Sequence, residues 1–201
     1  MKKPQKPKIR KTVDRPRMEA AVREFLLAAG IDLQLADLLE TPQRVTDAWA
    51  DEFLAGYQST ARQALSERFS VDRSSDRSLV VVTDIRFRSM CPHHLLPYSG
   101  HVHLAYLPKG EIVGFGRLSA LIDVFAHRLI LQEQLAVQIV DALMTELNCA
   151  GAACAIDAEQ SCFRLRGQEQ HEAVTHSDAY AGVLSDGDLR REFWLRIGAR
   201  R

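Results

Sequence analysis

Cys91, His93 and His94 fall in one short stretch, Met90-Cys91-Pro92-His93-His94, and a third soft donor, Cys162, follows far downstream in Gln160-Ser161-Cys162-Phe163-Arg164. Cys91 and His94 are spaced C-x2-H, close enough for one turn to grip a single ion. For Cys162 to complete the set, two segments far apart in sequence must end side by side. That requirement constrains the fold more than any other feature of the chain. A structural zinc site has four protein ligands and is closed; a catalytic one has three and keeps a water in the fourth position. Three donors therefore point to a hydrolase that activates water on zinc.

The rest of the composition is compatible with such an enzyme. At 201 residues and 46% hydrophobic, the chain can bury a core as one domain with an extra segment. Lys+Arg and Asp+Glu balance at 26 each, so the molecule has no polyanion-binding bias and no nucleic-acid partner is expected. The four cysteines, Cys91, Cys149, Cys154 and Cys162, are too sparse for a disulfide scaffold. With no apolar run at the N-terminus, they point to a reducing cytoplasm. No apolar run approaches the ~18 residues of a membrane span, so no membrane partner is expected.

Residues 1–17 carry eight Lys or Arg and three Pro with almost nothing apolar, which reads as a solvated, disordered basic tail. Residues 18–76 read as N-terminal helices and a linker. Apolar residues recur at helical spacing from Met18 to Ala29, with Gly30 as stop. Thr41 and Pro42 open a second helix, as cap and first residue, running to about Ala55. Ser66 to Asp76 is polar and reads as linker. Residues 77–201 read as the catalytic domain. Strands are expected over 78–88, 101–106, 111–116, 152–158 and 162–166. Two successive helices are expected over 119–147, and a terminal helix over 186–197 anchored by Phe193 and Trp194. Hairpin strands with helices inserted between them give an α+β fold.

Several motifs in order resemble GTP cyclohydrolase I. They are Glu40-Thr41-Pro42-x-Arg44, Cys91-x-His93-His94-Leu95, Ala105-Tyr106-Leu107-Pro108-Lys109, Leu131-Gln132-Glu133 and Cys162-x-x-x-Arg166-Gly167. The resemblance covers roughly residues 18–198. It implies the tunnelling fold, an antiparallel sheet backed by two helices, with an N-terminal helical extension. It also implies a homodecamer of two stacked pentamers, with active sites at subunit boundaries.

On that resemblance Cys91, His94 and Cys162 hold Zn2+, which lowers the pKa of bound water toward ~7. Alone, Cys162 would read as an ordinary buried thiol, as Cys149 and Cys154 do. The resemblance makes C8 of a guanine nucleotide, GTP or a relative, the target. His93 stands beside the metal as a proton donor or acceptor. Gln132 and Glu133 recognise guanine, the carboxylate accepting from its N1 and N2 hydrogens, a donor pair that adenine lacks. Arg44, Arg117 and Arg166 hold the phosphates, Arg117 standing where the family usually has Lys, and Arg164 adds to the patch if it shares the strand face. His101 and His103 read as ordinary strand residues.

The chain departs from the family's pattern at the site. Gln160 stands where the family has a catalytic His, and an amide cannot transfer a proton near neutral pH. Pro92 replaces an acidic residue, Ala120 a phosphate-binding Arg, and Gly116 a small hydroxyl residue. The resulting expectation is a hydrolase that opens the guanine imidazole at C8 and stops at a formamidopyrimidine-type nucleotide for a specialised pathway. The alternatives are the complete reaction to 7,8-dihydroneopterin triphosphate and formate for folate or pterin synthesis, and a non-catalytic purine-nucleotide-binding paralogue. A tunnelling-fold nitrile reductase fits the C-x-H-H turn poorly.

Overall fold

The structure, a computed structural model, describes residues 13–70, 78–165 and 172–198. Most of the basic tail and Arg166 lie outside the described residues. Helix α1 (Arg15–Ala28) begins where the Asp14 carboxylate accepts from the Arg17 amide at 3.1 Å and Pro16 sits in the first turn. It therefore starts inside the stretch read as tail. Gly30, at φ +77°, turns the chain out of it. Helix α2 (Thr41–Ala48) carries Pro42 in its first turn, with Glu40 rather than Thr41 at the cap position. The chain then loosens into a π turn (Trp49–Phe53) and a 3₁₀ turn (Ala55–Gln58) where one continuous helix was expected. Gly56 is needed there, because a Cβ would lie 2.5 Å from the Val124 carbonyl oxygen. A short α3 (Ala61–Ala64) opens on a reciprocal Thr60–Gln63 cap.

Part of the expected linker is strand β1 (Arg68–Ser70), which pairs antiparallel with β4 (Glu111–Val113). The main sheet has four antiparallel strands, β2 (Val80–Met90), β3 (Pro97–Leu107), β5 (Gly151–Gln160) and β6 (Thr175–Gly182), in the order β2-β3-β5-β6. Helices α4 (Phe115–Ala126) and α5 (Gln132–Glu146) cover one face, and α7 (Gly187–Gly198) packs on the other. This is the expected α+β architecture, an antiparallel sheet backed by two helices.

Strand β5 shows why burial overrides propensity. Its sequence, GAACAIDAEQ, is alanine-rich and a poor strand former by composition. Yet its residues are buried alternately on the two faces, Cys154 and Ile156 with Leu135 and Ile139 of α5, Ala153 and Ala155 with Phe193 of α7. Small side chains let both layers approach. Phe193 is fully buried, whereas Trp194 is 43% exposed and donates from its indole to the Tyr180 hydroxyl at 2.8 Å. Phe193 and Ile197, not Trp194, are the buried anchors of α7. Among the described residues no helix is long and apolar enough to cross a membrane.

The strand expected over 162–166 is instead a helical turn, α6 (Ser161–Arg164). The β3–β5 ladder ends at the pair Tyr98↔Gln160, and β3 begins at Pro97, whose nitrogen has no hydrogen to donate. With no ladder left, the chain coils. Arg164 consequently leaves the strand face on which it was expected and pairs with Glu159.

Candidate metal centre and cleft

The β3–β5 register brings the distant donors together. Strands β2 and β3 are joined by the Cys91–Leu96 turn, closed by Cys91 N–H to Leu96 O at 2.9 Å and Leu95 N–H to Cys91 O at 3.0 Å. Leu95 adopts φ +54°, a conformation rarely taken by a branched side chain. Because Tyr98, just past this turn, pairs with Gln160, the turn into α6 sets Cys162 beside it. The donor atoms of Cys91, His94 and Cys162 all lie within 4.8 Å of one another, and Cys91 Sγ is 3.8 Å from His94 Nδ1. A tetrahedral ion with Zn–S and Zn–N bonds of usual length needs donor separations of about 3.6–3.8 Å. The donor set and the Cys91–His94 separation thus fit a metal of the zinc type.

A cleft of about 230 Å³ opens over this cluster, lined among others by His93, Tyr98, Gln132, Glu133, Gln160 and Thr175. The N-terminus of α5 is held over it by two contacts: Ile130 N–H donates to Met90 O at 3.3 Å, and the Tyr98 hydroxyl donates to Ile130 O at 3.0 Å. Burial pushes the Tyr98 phenol well above its ordinary pKa, so it remains a donor at neutral pH. Glu133, exposed in the first turn of α5, sits where the helix dipole favours an anion. His93 is exposed, its ring edge-on to His94 at 6.2 Å between centroids. Gln160 Nε2 donates to Gln132 Oε1 at 2.8 Å.

The basic residues behave differently. Arg44 pairs with Glu40 at 2.6 Å on α2, and Arg117 with Glu67 at 2.6 Å beside β1. Neither lines the cleft of its own chain. Ala120 borders a separate hollow with Gly56 and His127. Cys149 and Cys154 are buried, and burial pushes both thiols up, as expected of core cysteines. His103 is buried in β3 and accepts from the Asp84 amide at 3.2 Å, while His101 is exposed. Tyr98 and Thr175 are the site residues that sequence reading missed. Tyr98 stands between two motifs, and Thr175 opens a polar strand, THSDAYAG, with no clean alternation.

A family model described as GTP cyclohydrolase I matches residues 18–198. The GTP cyclohydrolase 1 of Streptococcus sanguinis (strain SK36) is 38% identical over 187 residues, covering 92% of this chain and 100% of that protein. That of Campylobacter lari (strain RM2100) is 38% identical over 185 residues, covering 91% and 95%. Among solved structures, an archaeosine synthase QueF-like protein in the apo form matches at 21% identity and a TM-score of 0.44, over 54% of this chain and 97% of that one.

Proposed function

The chain belongs to the GTP cyclohydrolase I family of hydrolases, and from that premise we propose that it opens the guanine imidazole of GTP at C8 and releases the ring-opened formamidopyrimidine nucleotide. The observation that carries this reading is the pairing of a complete Cys91–His94–Cys162 donor cluster with an amide, Gln160, beside it. The two thiols and one imidazole suit Zn2+, which when bound supplies activation of water at neutral pH.

Each nearby side chain has a part in that reaction. Glu133, at the cleft's rim, accepts from guanine N1–H and N2–H and so orients C8 toward the cluster. His93 holds or moves the proton that accompanies cleavage of the C8–N9 bond. One water is added, the C8–N9 bond breaks, and C8 remains as a formyl group on N7. Formate loss, ribose rearrangement and ring closure each need further proton transfers, and Gln160 offers no titrating group for them.

Arg44, Arg117 and Arg166 are assigned to the triphosphate. The cleft's 230 Å³ falls short of the ~300–1,000 Å³ of usual small-molecule sites, and Arg44 and Arg117 stand outside it. This supports a site completed by a neighbouring subunit in a homodecamer of two pentamers. The test is to incubate zinc-free and zinc-reconstituted protein with GTP and resolve products by mass spectrometry. A zinc-dependent product of GTP plus one water is expected. GTP left intact by the zinc-loaded protein overturns the reading in favour of a purine-nucleotide-binding paralogue. Dihydroneopterin triphosphate as the main product establishes the complete reaction instead.

A further inference from the structure

Gln132 is 4% exposed, and its side-chain amide is wholly engaged by the protein. Its Nε2 donates to Ile156 O at 3.0 Å and to Thr175 O at 3.1 Å. Its Oε1 accepts from the Thr175 hydroxyl at 2.6 Å and from Gln160 Nε2 at 2.8 Å. A glutamine amide has two N–H donors and two carbonyl lone pairs, so none is left for a ligand. The two backbone carbonyls also fix which way the amide points. They only accept, so Nε2 must face them and Oε1 must face Gln160. Gln160 must then spend an N–H on Gln132, which turns its own Oε1 the other way, 4.0 Å from Cys162 Sγ.

We infer that Gln132 is a positioning residue that, with Thr175, locks Gln160 with its amide oxygen toward the Cys91–His94–Cys162 cluster, where Gln160 accepts a hydrogen bond from an O–H or N–H group on the C8 side of the bound purine. The inference rests on the ring-opening reading above. It gives Gln132 the task of holding Gln160, in place of a side-chain contact with guanine. It also gives Thr175 a role: the lock ties the start of α5, the end of β5 and the start of β6 at one point. An amide oxygen orients a donor without taking its proton. The lock therefore holds an opened ring in place without passing its protons on.

Zinc-loaded Gln132→Met, Gln160→Met and the double variant test this, with metal content verified for each. Loss of one oriented hydrogen bond is expected to lower kcat for GTP consumption about tenfold in each single variant. The double variant should fall no further than the slower single, because both substitutions remove one shared interaction. KM, and the Kd of GTP for zinc-free protein, should stay unchanged. Losses that multiply to about a hundredfold overturn the lock. A raised KM and Kd in Gln132→Met overturn the positioning role and make Gln132 a guanine contact. Thr175→Ser should retain the kcat that Thr175→Val loses; equal losses would count against the hydroxyl's part. A wild type that leaves GTP intact sinks the functional reading. The lock is then read from thermal midpoints, where the double variant should match Gln132→Met alone, and an additive drop refutes it.

Discussion

The Gln160→His protein should carry the reaction past the opened ring. Gln160 is half-buried at the end of β5, with Nε2 2.8 Å from Gln132 Oε1. A histidine there can donate one ring N–H to the same acceptor and turn its other nitrogen to the cleft. The hydrogen bond survives, so the fold should lose less than the ~1 kcal/mol of one net bond. The gain is a group that titrates near neutral pH. A positioned acid–base group contributes about 10²–10⁴ in rate, or roughly 3–5 kcal/mol of barrier. Formate and dihydroneopterin triphosphate should therefore form about 10²–10⁴ times faster than in the wild type, with little change in GTP consumption. Timed liquid chromatography with mass detection, together with a formate assay, reads both. The same product mixture from the two proteins would refute the reasoning about position 160.

Cys162→Ala should weaken zinc binding beyond the ~10–100-fold typical of losing an outer-shell partner, and abolish ring opening; competition with a chelator measures the first. Phe193→Ala should destabilise the fold by about 3–5 kcal/mol, seen as a lower denaturation midpoint, because the ring is fully buried against β5. Gly100→Ala should disrupt the β3–β5 pairing, since its Cβ would meet the Asp157 carbonyl oxygen at 1.9 Å, and zinc affinity should fall with it. Burial, ahead of the nearby Arg88, lowers the pKa of His127 from 6.5, with Asp123 and Glu52 opposing. The stability that the neutral ring contributes is thus present above about 6.5 and lost as pH falls from there through the folded value. His127→Gln should flatten the acid limb of stability against pH; an unchanged limb would show that other groups set it.

The metal turn was legible because its chemistry is local: C-x2-H needs only one turn, and the partner thiol lies where the β3–β5 register must deliver it. Strand β5 was also legible, although its alanines argue against a strand, because its ends are marked by Gly151 and the site motif. The α6 turn was not legible. Cys162-Phe163-Arg164-Leu165 alternates like a strand, and only the exhaustion of β3 at Pro97 makes it coil. Strand β6 hid in a polar sequence whose hydrogen bonds, not its apolar content, hold it to β5. The side-chain locking of Gln132 was hidden for the same reason. Its partners, Ile156 O and Thr175 O, are backbone atoms of two strands whose meeting no motif announces.

The most direct test of the account is the ratio of formate released to GTP consumed by the zinc-loaded wild-type protein. A ratio near zero is expected while GTP disappears and a nucleotide of GTP plus one water accumulates. A ratio near one, with dihydroneopterin triphosphate as the nucleotide product, would contradict it.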